Sequence, residues 1–246
     1  MNAKRYAPRL YLDADLGKDK GVVLDRDQSH YLINVMRKSV GDELVLFNGR
    51  DGEWQGEIQQ AKKSQCLVHV TDYLRPQAAS PDIELAFAPV KKIQNGFIVQ
   101  KATELGVSAF RPVHTDRTNS DRLRDDKVRL QAIEAAEQSE RLDVPEVHPL
   151  TKLDKLLKDI KAEGRHLIYC AERSEKNNPV ATLNTINGTE KITVLIGPEG
   201  GFSDEELETL AAVPGATCLK LGPRILRAET AVVSALTVVQ AVCGDW

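Results

Sequence analysis

The chain has 246 residues, 41% of them hydrophobic and 28% charged, with a formal net charge of −3. That length fits one large domain or a large one beside a small one, and the composition excludes low-complexity and collagen-like architectures. No stretch approaches ~18 consecutive apolar residues, so neither a membrane span nor a membrane partner is expected. The basic start leads into no apolar signal core, which predicts a cytoplasmic protein.

Cys66, Cys170, Cys218 and Cys243 are scattered, with no Cys-x-x-Cys pair and no histidine at ligand spacing. They read as free thiols, and no metal is implied. A slightly acidic chain cannot present a wholly basic surface to nucleic acid, because lysine and arginine supply most phosphate affinity. Any RNA surface must be a local patch. The first eleven residues, with Lys4, Arg5 and Arg9 and no acid, are one such patch.

Residues 1–74 alternate β-type runs (9–12, 22–24, 43–47, 53–58 and 66–73) with turn signals, the clearest being Asn48-Gly49-Arg50-Asp51-Gly52. A helix over 28–37 interrupts them. Short strands around one helix predict a small barrel of the kind found in RNA-binding accessory domains. Residues 75–81, Arg-Pro-Gln-Ala-Ala-Ser-Pro, read as a linker. From 82 to 246 strands alternate with helices: strands at 83–88, 109–113, 166–170, 192–196 and 217–219, helices at 91–105, 127–140, 151–160, 203–212 and 229–242. Thr151 with Asp154, and Ser203 with Glu206, are the expected capping boxes. This alternation predicts an α/β domain on a parallel sheet.

Two loops stand out within it, Leu195-Ile196-Gly197-Pro198-Glu199-Gly200-Gly201-Phe202 and Leu221-Gly222-Pro223-Arg224-Ile225-Leu226-Arg227-Ala228-Glu229-Thr230-Ala231. Each joins an apolar strand to a helix, and glycine with proline there lets main chain approach a ligand closely. A phosphate cradle is the weaker reading, because no Walker or dinucleotide glycine motif occurs. Asp204, Glu205 and Glu206 moreover open the following helix and would repel an anion.

The pair IGPEGG and LGPRILRAETA resembles the SPOUT superfamily of S-adenosylmethionine-dependent RNA methyltransferases, and within it the bacterial 16S ribosomal RNA uridine-N3 methyltransferases. Gln100 to Val107, Glu137-Gln138-Ser139-Glu140-Arg141 and Arg5-Tyr6-Ala7-Pro8-Arg9 also look like that family's motifs. Glu140 departs from it, since a smaller residue such as glycine is expected there. The resemblance implies a PUA-like barrel followed by a SPOUT-type parallel sheet with a C-terminal trefoil knot, at about 191–241, that holds the cofactor. It also implies a homodimer acting on the small ribosomal subunit.

For the cofactor the resemblance offers the main chain of Gly197, Pro198, Glu199, Gly200, Leu219, Leu221, Gly222, Ile225 and Leu226. A uridine N3 must lose a proton before or during attack, so the site needs a base or an anion stabiliser. Glu199 and Glu229 are the carboxylate candidates and Arg224 and Arg227 the cations, although Glu229 in a first helical turn also suits the helix dipole and Arg227 could pair with it. Candidate RNA contacts are Arg5, Arg9, His30, Arg37, Lys91, Lys92, Lys101, Arg117 and Arg141. His30 and Arg37 fall seven apart on the expected helix, Lys101 could pair with Glu104, and Tyr6 and Tyr11 stack on bases or pack on the barrel. Two other readings remain open: a ribose 2′-O-methyltransferase, and a non-catalytic RNA-binding or ribosome-assembly protein.

Overall fold

The computed structural model describes residues 7–62, 65–90, 92–119, 123–172, 178–186 and 188–246. It divides into two compact units, Met1–Ala79 with Ala136–Val144, and Ser80–Ala135 with Pro145–Trp246.

In the first unit β1 (Arg9–Tyr11), β2 (Gly21–Val23), β3 (Glu43–Phe47), β4 (Glu53–Lys62) and β5 (Gln65–Arg75) form one sheet in the order β1-β3-β4-β5-β2. β1 runs parallel to β3 and the other pairs are antiparallel. Alternating residues point to one interior: Leu10, Val22, Leu44, Leu46, Ile58, Val68 and Val70 share a cluster with Leu32. β4 and β5 run past the expected 53–58 and 66–73, because their far ends are polar and ladder hydrogen bonds leave no hydropathy pattern.

The expected helix over 28–37 is two elements. α1 (Arg26–His30) opens at Asp25, whose carboxylate accepts the Gln28 N–H in a capping box. Tyr31–Val35 then forms a π-helical turn, with Met36 N–H bonded to the Tyr31 carbonyl and Lys38 N–H to that of Leu32, both at 2.9 Å. The wider turn keeps Leu32 inside while Tyr31, Val35 and Met36 remain exposed. Arg37 lies beyond the helix at φ 55°, so it and His30 do not share one α-helical face as expected.

The stretch 136–144 is also part of this unit. At the end of α3 (Asp125–Gln138) the Arg141 N–H bonds the Ala136 carbonyl at 3.1 Å and Glu140 sits at φ 59°. That is a Schellman closure, whose left-handed position favours glycine. The backbone therefore explains why glycine is the expected residue where this chain has Glu140. Tyr11 N–H donates to the Glu137 carboxylate at 2.9 Å, Arg9 Nη2 to the Arg141 carbonyl at 2.7 Å, and Arg75 to the Glu140 carbonyl. Leu142 and Ala136 pack with Phe47.

In the second unit β6 (Asp82–Phe87), β7 (Ala109–His114), β8 (Glu146–Val147), β10 (His166–Cys170), β11 (Lys191–Ile196) and β12 (Thr217–Leu219) lie in the order β12-β10-β11-β6-β7-β8. β9 (Thr151–Lys152) also pairs with β7, and every pairing is parallel. The central strands β6 and β11 are buried beyond their first residues, and apart from Glu84 and Thr193 those buried positions are apolar, as in strands covered by helices. The helices are α2 (Lys92–Glu104), α3, α4 (Leu153–Ala162), α5 (Pro179–Asn184), α6 (Asp204–Ala211) and α7 (Ala228–Cys243). Thr151 is not the expected cap of α4. It is taken into β9, and Lys152 occupies the N-cap without a side-chain bond. The expected capping box at Ser203 and Glu206 is present in both directions.

The amino end of this sheet is held by a buried charge network. Arg111 Nε and Nη2 bond Glu84 at 2.5 and 3.1 Å, and Nη2 also reaches Glu163 at 2.6 Å. Arg165 reaches Glu84 and Asp82 at 2.9 and 2.7 Å and the Thr193 hydroxyl at 2.9 Å. Four elements are thereby tied where their strands begin.

Candidate functional site

At the carboxyl end of the same sheet, β10, β11 and β12 stop at Cys170, Ile196 and Leu219 around a cavity of about 900 Å³ that includes its open mouth. Ligands of open parallel sheets settle at such ends. Both glycine loops form its wall. Of the main-chain positions expected to hold a cofactor, Gly197, Pro198, Gly200, Leu219, Leu221, Gly222 and Leu226 line the cavity, whereas Glu199 and Ile225 are exposed and outside its lining.

The glycines serve separate purposes. Gly222 has φ 105° with open space where a side chain would begin, so its bare main chain borders the cavity in a conformation other residues resist. Gly200 is glycine because of a neighbour, since a Cβ there would stand 3.3 Å from the Arg117 Cβ. A Cβ on Gly197 would meet the Phe202 ring at 3.2 Å.

The wall combines apolar surface from Ile196, Phe202, Leu207, Leu219 and Leu226 with Arg117, Glu172, Asp204, Lys220 and Arg224. Apolar faces suit a purine ring, and charges of both signs suit a ligand carrying an ammonium and a carboxylate. S-adenosylmethionine, with adenine, ribose, amino and carboxyl groups, fits that donor set. Burial pushes the Cys170 thiol up to about 12, so it is protonated at neutral pH and is not a nucleophile.

Two loops are clasped together here. Glu206 is buried, with one carboxylate oxygen accepting the Asp116 N–H and the other the Ser203 N–H, both at 2.9 Å. The Ser203 hydroxyl donates to the Asp116 carboxylate at 2.5 Å. Arg117, next in the chain, donates from Nη1 to the Gly200 carbonyl at 2.9 Å. The β7–α3 loop is thus fixed to the first glycine loop.

Of the expected catalytic residues, Arg224 lines the cavity. Glu199 and Arg227 are exposed, and Glu229 is half-buried in the first turn of α7. Arg227 is the N-cap of α7 and forms no ion pair with Glu229 among the described residues.

Among the described residues, Arg117 alone of the expected RNA contacts belongs to the cavity wall, and His30 and Arg37 are exposed on the first unit. Arg5 and Lys91 lie outside the described residues, as does Tyr6, and the Lys92 side chain is likewise not described. Lys101 holds both oxygens of Glu104 at 2.8 Å. Arg9 is committed to the first unit, with its guanidinium bonded to Glu53 and lying 4.9 Å from the Phe47 ring centroid. Arg141 is nearly buried and bonds Asp143 at 3.0 Å. These two arginines hold structure together and have little surface to offer RNA. Tyr11 packs edge-on against Phe47 at 5.7 Å.

Cys170, Ala171 and Glu172 at the end of β10, and Asp204 and Leu207 beyond the first loop, line the cavity without having been expected. The end of β10 could have been found from its place before a strand–loop–helix unit, but neither glycine nor a charge pattern marks it.

An RNA methyltransferase domain model matches residues 78–240, and an RNA methyltransferase PUA domain model matches 24–71. The chain is 31% identical to ribosomal RNA small subunit methyltransferase E of Rickettsia conorii over 94% of each chain. It is also 31% identical to the protein of the same name from Bacillus subtilis over 87% of each. A putative methyltransferase of Legionella pneumophila, solved with bound SAM, superposes with a TM-score of 0.85 at 32% identity, covering 98% of this chain and 99% of that one. A ribosomal RNA small subunit methyltransferase E from Neisseria gonorrhoeae bound to S-adenosyl methionine gives 0.83 at 27% identity, covering 98% and 100%. With its cavity built from the same two loops that carry the resemblance, the chain belongs to the ribosomal RNA small subunit methyltransferase E family.

Proposed function

We propose that the protein methylates N3 of a uridine in 16S rRNA of the small ribosomal subunit, using S-adenosylmethionine. The observation that carries this reading is the cavity at the ends of β10, β11 and β12, walled by both glycine loops and by charges of both signs. S-adenosylmethionine supplies a methyl group already electrophilic on a sulfonium, whose bonding pair returns to sulfur on transfer.

The protein's own residues have three tasks. Main chain of Gly197, Pro198, Gly200, Leu219, Leu221, Gly222 and Leu226 orients the donor, since near-attack geometry supplies much of the barrier reduction. Glu199 or Glu229 takes the N3 proton, and Arg224 and Arg227 offset the charge that develops on the base. Glutamine at each carboxylate in turn tests this, and full turnover by both variants removes both from the mechanism.

The first unit supplies RNA affinity through His30, Arg37 and Arg5, and Lys101, Arg117 and Lys91 contribute from the second. The reading includes three further features: a trefoil knot through 191–241, a barrel domain at 1–74 joined by 75–81 to a catalytic domain at 82–246, and a cytoplasmic homodimer. The deciding experiment is nucleoside mass spectrometry on small-subunit rRNA from cells lacking the gene, before and after incubation with purified protein and S-adenosylmethionine. Restored 3-methyluridine is the expected result. A different methylated nucleoside would move the target elsewhere, and no product on subunits or naked rRNA would favour a non-catalytic RNA-binding role.

A further inference from the structure

Arg117 is placed in a way that contact with an RNA backbone does not explain. A phosphate-tracking arginine works from a flexible stem on open surface. This one is fixed at three points. The Thr115 N–H and hydroxyl bond the Thr118 hydroxyl, closing a turn around it. Asp116, beside it, is clasped by Ser203 and Glu206. Its own stem lies against Gly200, and its Nη1 donates to the Gly200 carbonyl. A guanidinium carries five N–H donors in a rigid fork, and among the described residues the Gly200 carbonyl is the one acceptor that Arg117 has. The remaining donors belong to a residue on the wall of the cavity.

We infer that Arg117 contacts the target base itself, donating to a carbonyl oxygen of the uracil, O2 or O4, and holding the negative charge that gathers there as N3 gives up its proton. The inference rests on the uridine-N3 reading above and deepens it. In the step, the N3–H bond breaks with its electron pair left on N3, and the charge is shared with the two flanking carbonyl oxygens. The proton passes to a carboxylate or to water. That nitrogen pair then forms the new N–C bond to the methyl group, and the C–S pair stays on sulfur. Glu172 and Asp204 on the same wall disfavour an anionic base, so the site needs a positioned cation to accept one. Donors held in place before the charge appears cost no reorganisation when it does.

The test compares the wild type with Arg117→Ala and Arg117→Lys on small subunits, across a range of pH and alongside calorimetric titration with S-adenosylmethionine. Cofactor affinity is expected to fall far less than turnover, because the apolar wall, the loop main chain and Arg224 are all retained. Turnover of the alanine variant is expected to fall by roughly 10²–10³, the usual cost of losing one preorganised donor to a developing oxyanion. The deficit should shrink as pH rises toward the range where uridine ionises unaided, and millimolar guanidinium chloride should restore part of the rate. Lysine keeps the charge but not the planar fork of donors, so it should fall between the two.

Turnover of Arg117→Ala within about threefold of wild type would overturn the inference. So would a parallel loss of cofactor affinity, or a deficit that neither pH nor guanidinium relieves, since each points to a purely structural arginine. If the wild type itself forms no 3-methyluridine, the functional reading falls and takes this inference with it, an outcome visible before any variant is compared.

Discussion

The two ends of the parallel sheet are built on opposite rules. At the amino end, Glu84 and Arg111 are buried and bonded to each other, Arg165 shares the Glu84 carboxylate, and the more exposed Asp82 and Glu163 complete the network. At the carboxyl end, Arg117 and Arg224 stand exposed around an open cavity, and main chain at Gly222 is left bare. The same arginine side chain is thus spent on the fold at one end and left exposed on a cavity wall at the other. Binding needs groups whose hydrogen bonds are not yet made, and a fold can leave them unmade only where another part of the structure is closed firmly enough to hold the strands.

The sharpest way to break this comparison is Glu84→Gln. It removes the negative charge shared by two buried guanidiniums and turns one acceptor oxygen into a donor group, and removing the charge of one partner of such a pair costs about 3–5 kcal/mol because the other charge stays buried. Urea denaturation should show a loss of that order, while cofactor affinity of the folded fraction stays within about threefold. A loss near zero would mean that the amino end does not carry the fold as argued.

The converse change is Gly222→Ala. No atom lies within 4 Å of the new Cβ, so the effect is conformational strain at φ 105° alone. Strain of that kind is worth about 1–3 kcal/mol, and the loop can relieve it by moving away from the ligand. Cofactor affinity should therefore fall by roughly tenfold or more, as each tenfold is 1.4 kcal/mol, with a smaller change in stability. Calorimetry with S-adenosylmethionine on the variant decides it.

How far the sequence could be read follows the same division. The carboxyl-end loops were legible because glycine and proline between an apolar strand and a helix have few other uses, and Ser203 with Glu206 is a local signal that the structure uses as read. The amino-end network was not legible. Glu84 and Arg111 look like surface charges interrupting two strands, and only the register that pairs Glu84 with Ala109, two residues before Arg111, brings them together. The same holds for Arg9, read as an RNA contact because it is basic, yet committed to Glu53 and the Arg141 carbonyl by long-range packing, whereas Arg141 bonds Asp143 just two residues away. The π-helical turn at Tyr31–Val35 was hidden for another reason: its apolar spacing is that of an α-helix, and only the hydrogen bonds differ.

Gly200→Ala separates a glycine kept for its neighbour from one kept for its backbone. Gly200 is exposed and has no positive φ, so stability should change by no more than about 0.5 kcal/mol. The new methyl nevertheless stands 3.3 Å from the Arg117 Cβ and must push it by a few tenths of an ångström. A 1 Å misplacement costs on the order of 100-fold in rate, so a loss of roughly threefold to tenfold in turnover is expected with cofactor affinity preserved. Equal losses in both would show that the methyl disturbs the cofactor's seat rather than Arg117.

The smallest effect sharpens the comparison by pH. His166, where β10 begins, shares a 2.8 Å hydrogen bond with Thr217, where β12 begins, and burial lowers its pKa below the ordinary 6.5. The unfolded chain therefore binds a proton more readily than the folded one in the interval between the lowered value and 6.5. Stability is unaffected by this group above that interval, declines as pH falls through it, and has lost the full contribution once pH drops below the folded value. His166→Gln keeps a polar partner for Thr217 without a titrating ring, so its stability should fall less steeply than the wild type's below pH 6.5. Cofactor affinity at the far end of the strands should have the same pH dependence in both proteins. If the variant and the wild type lose stability in parallel on acidification, some other group weakens the amino end and His166 is not part of what holds it.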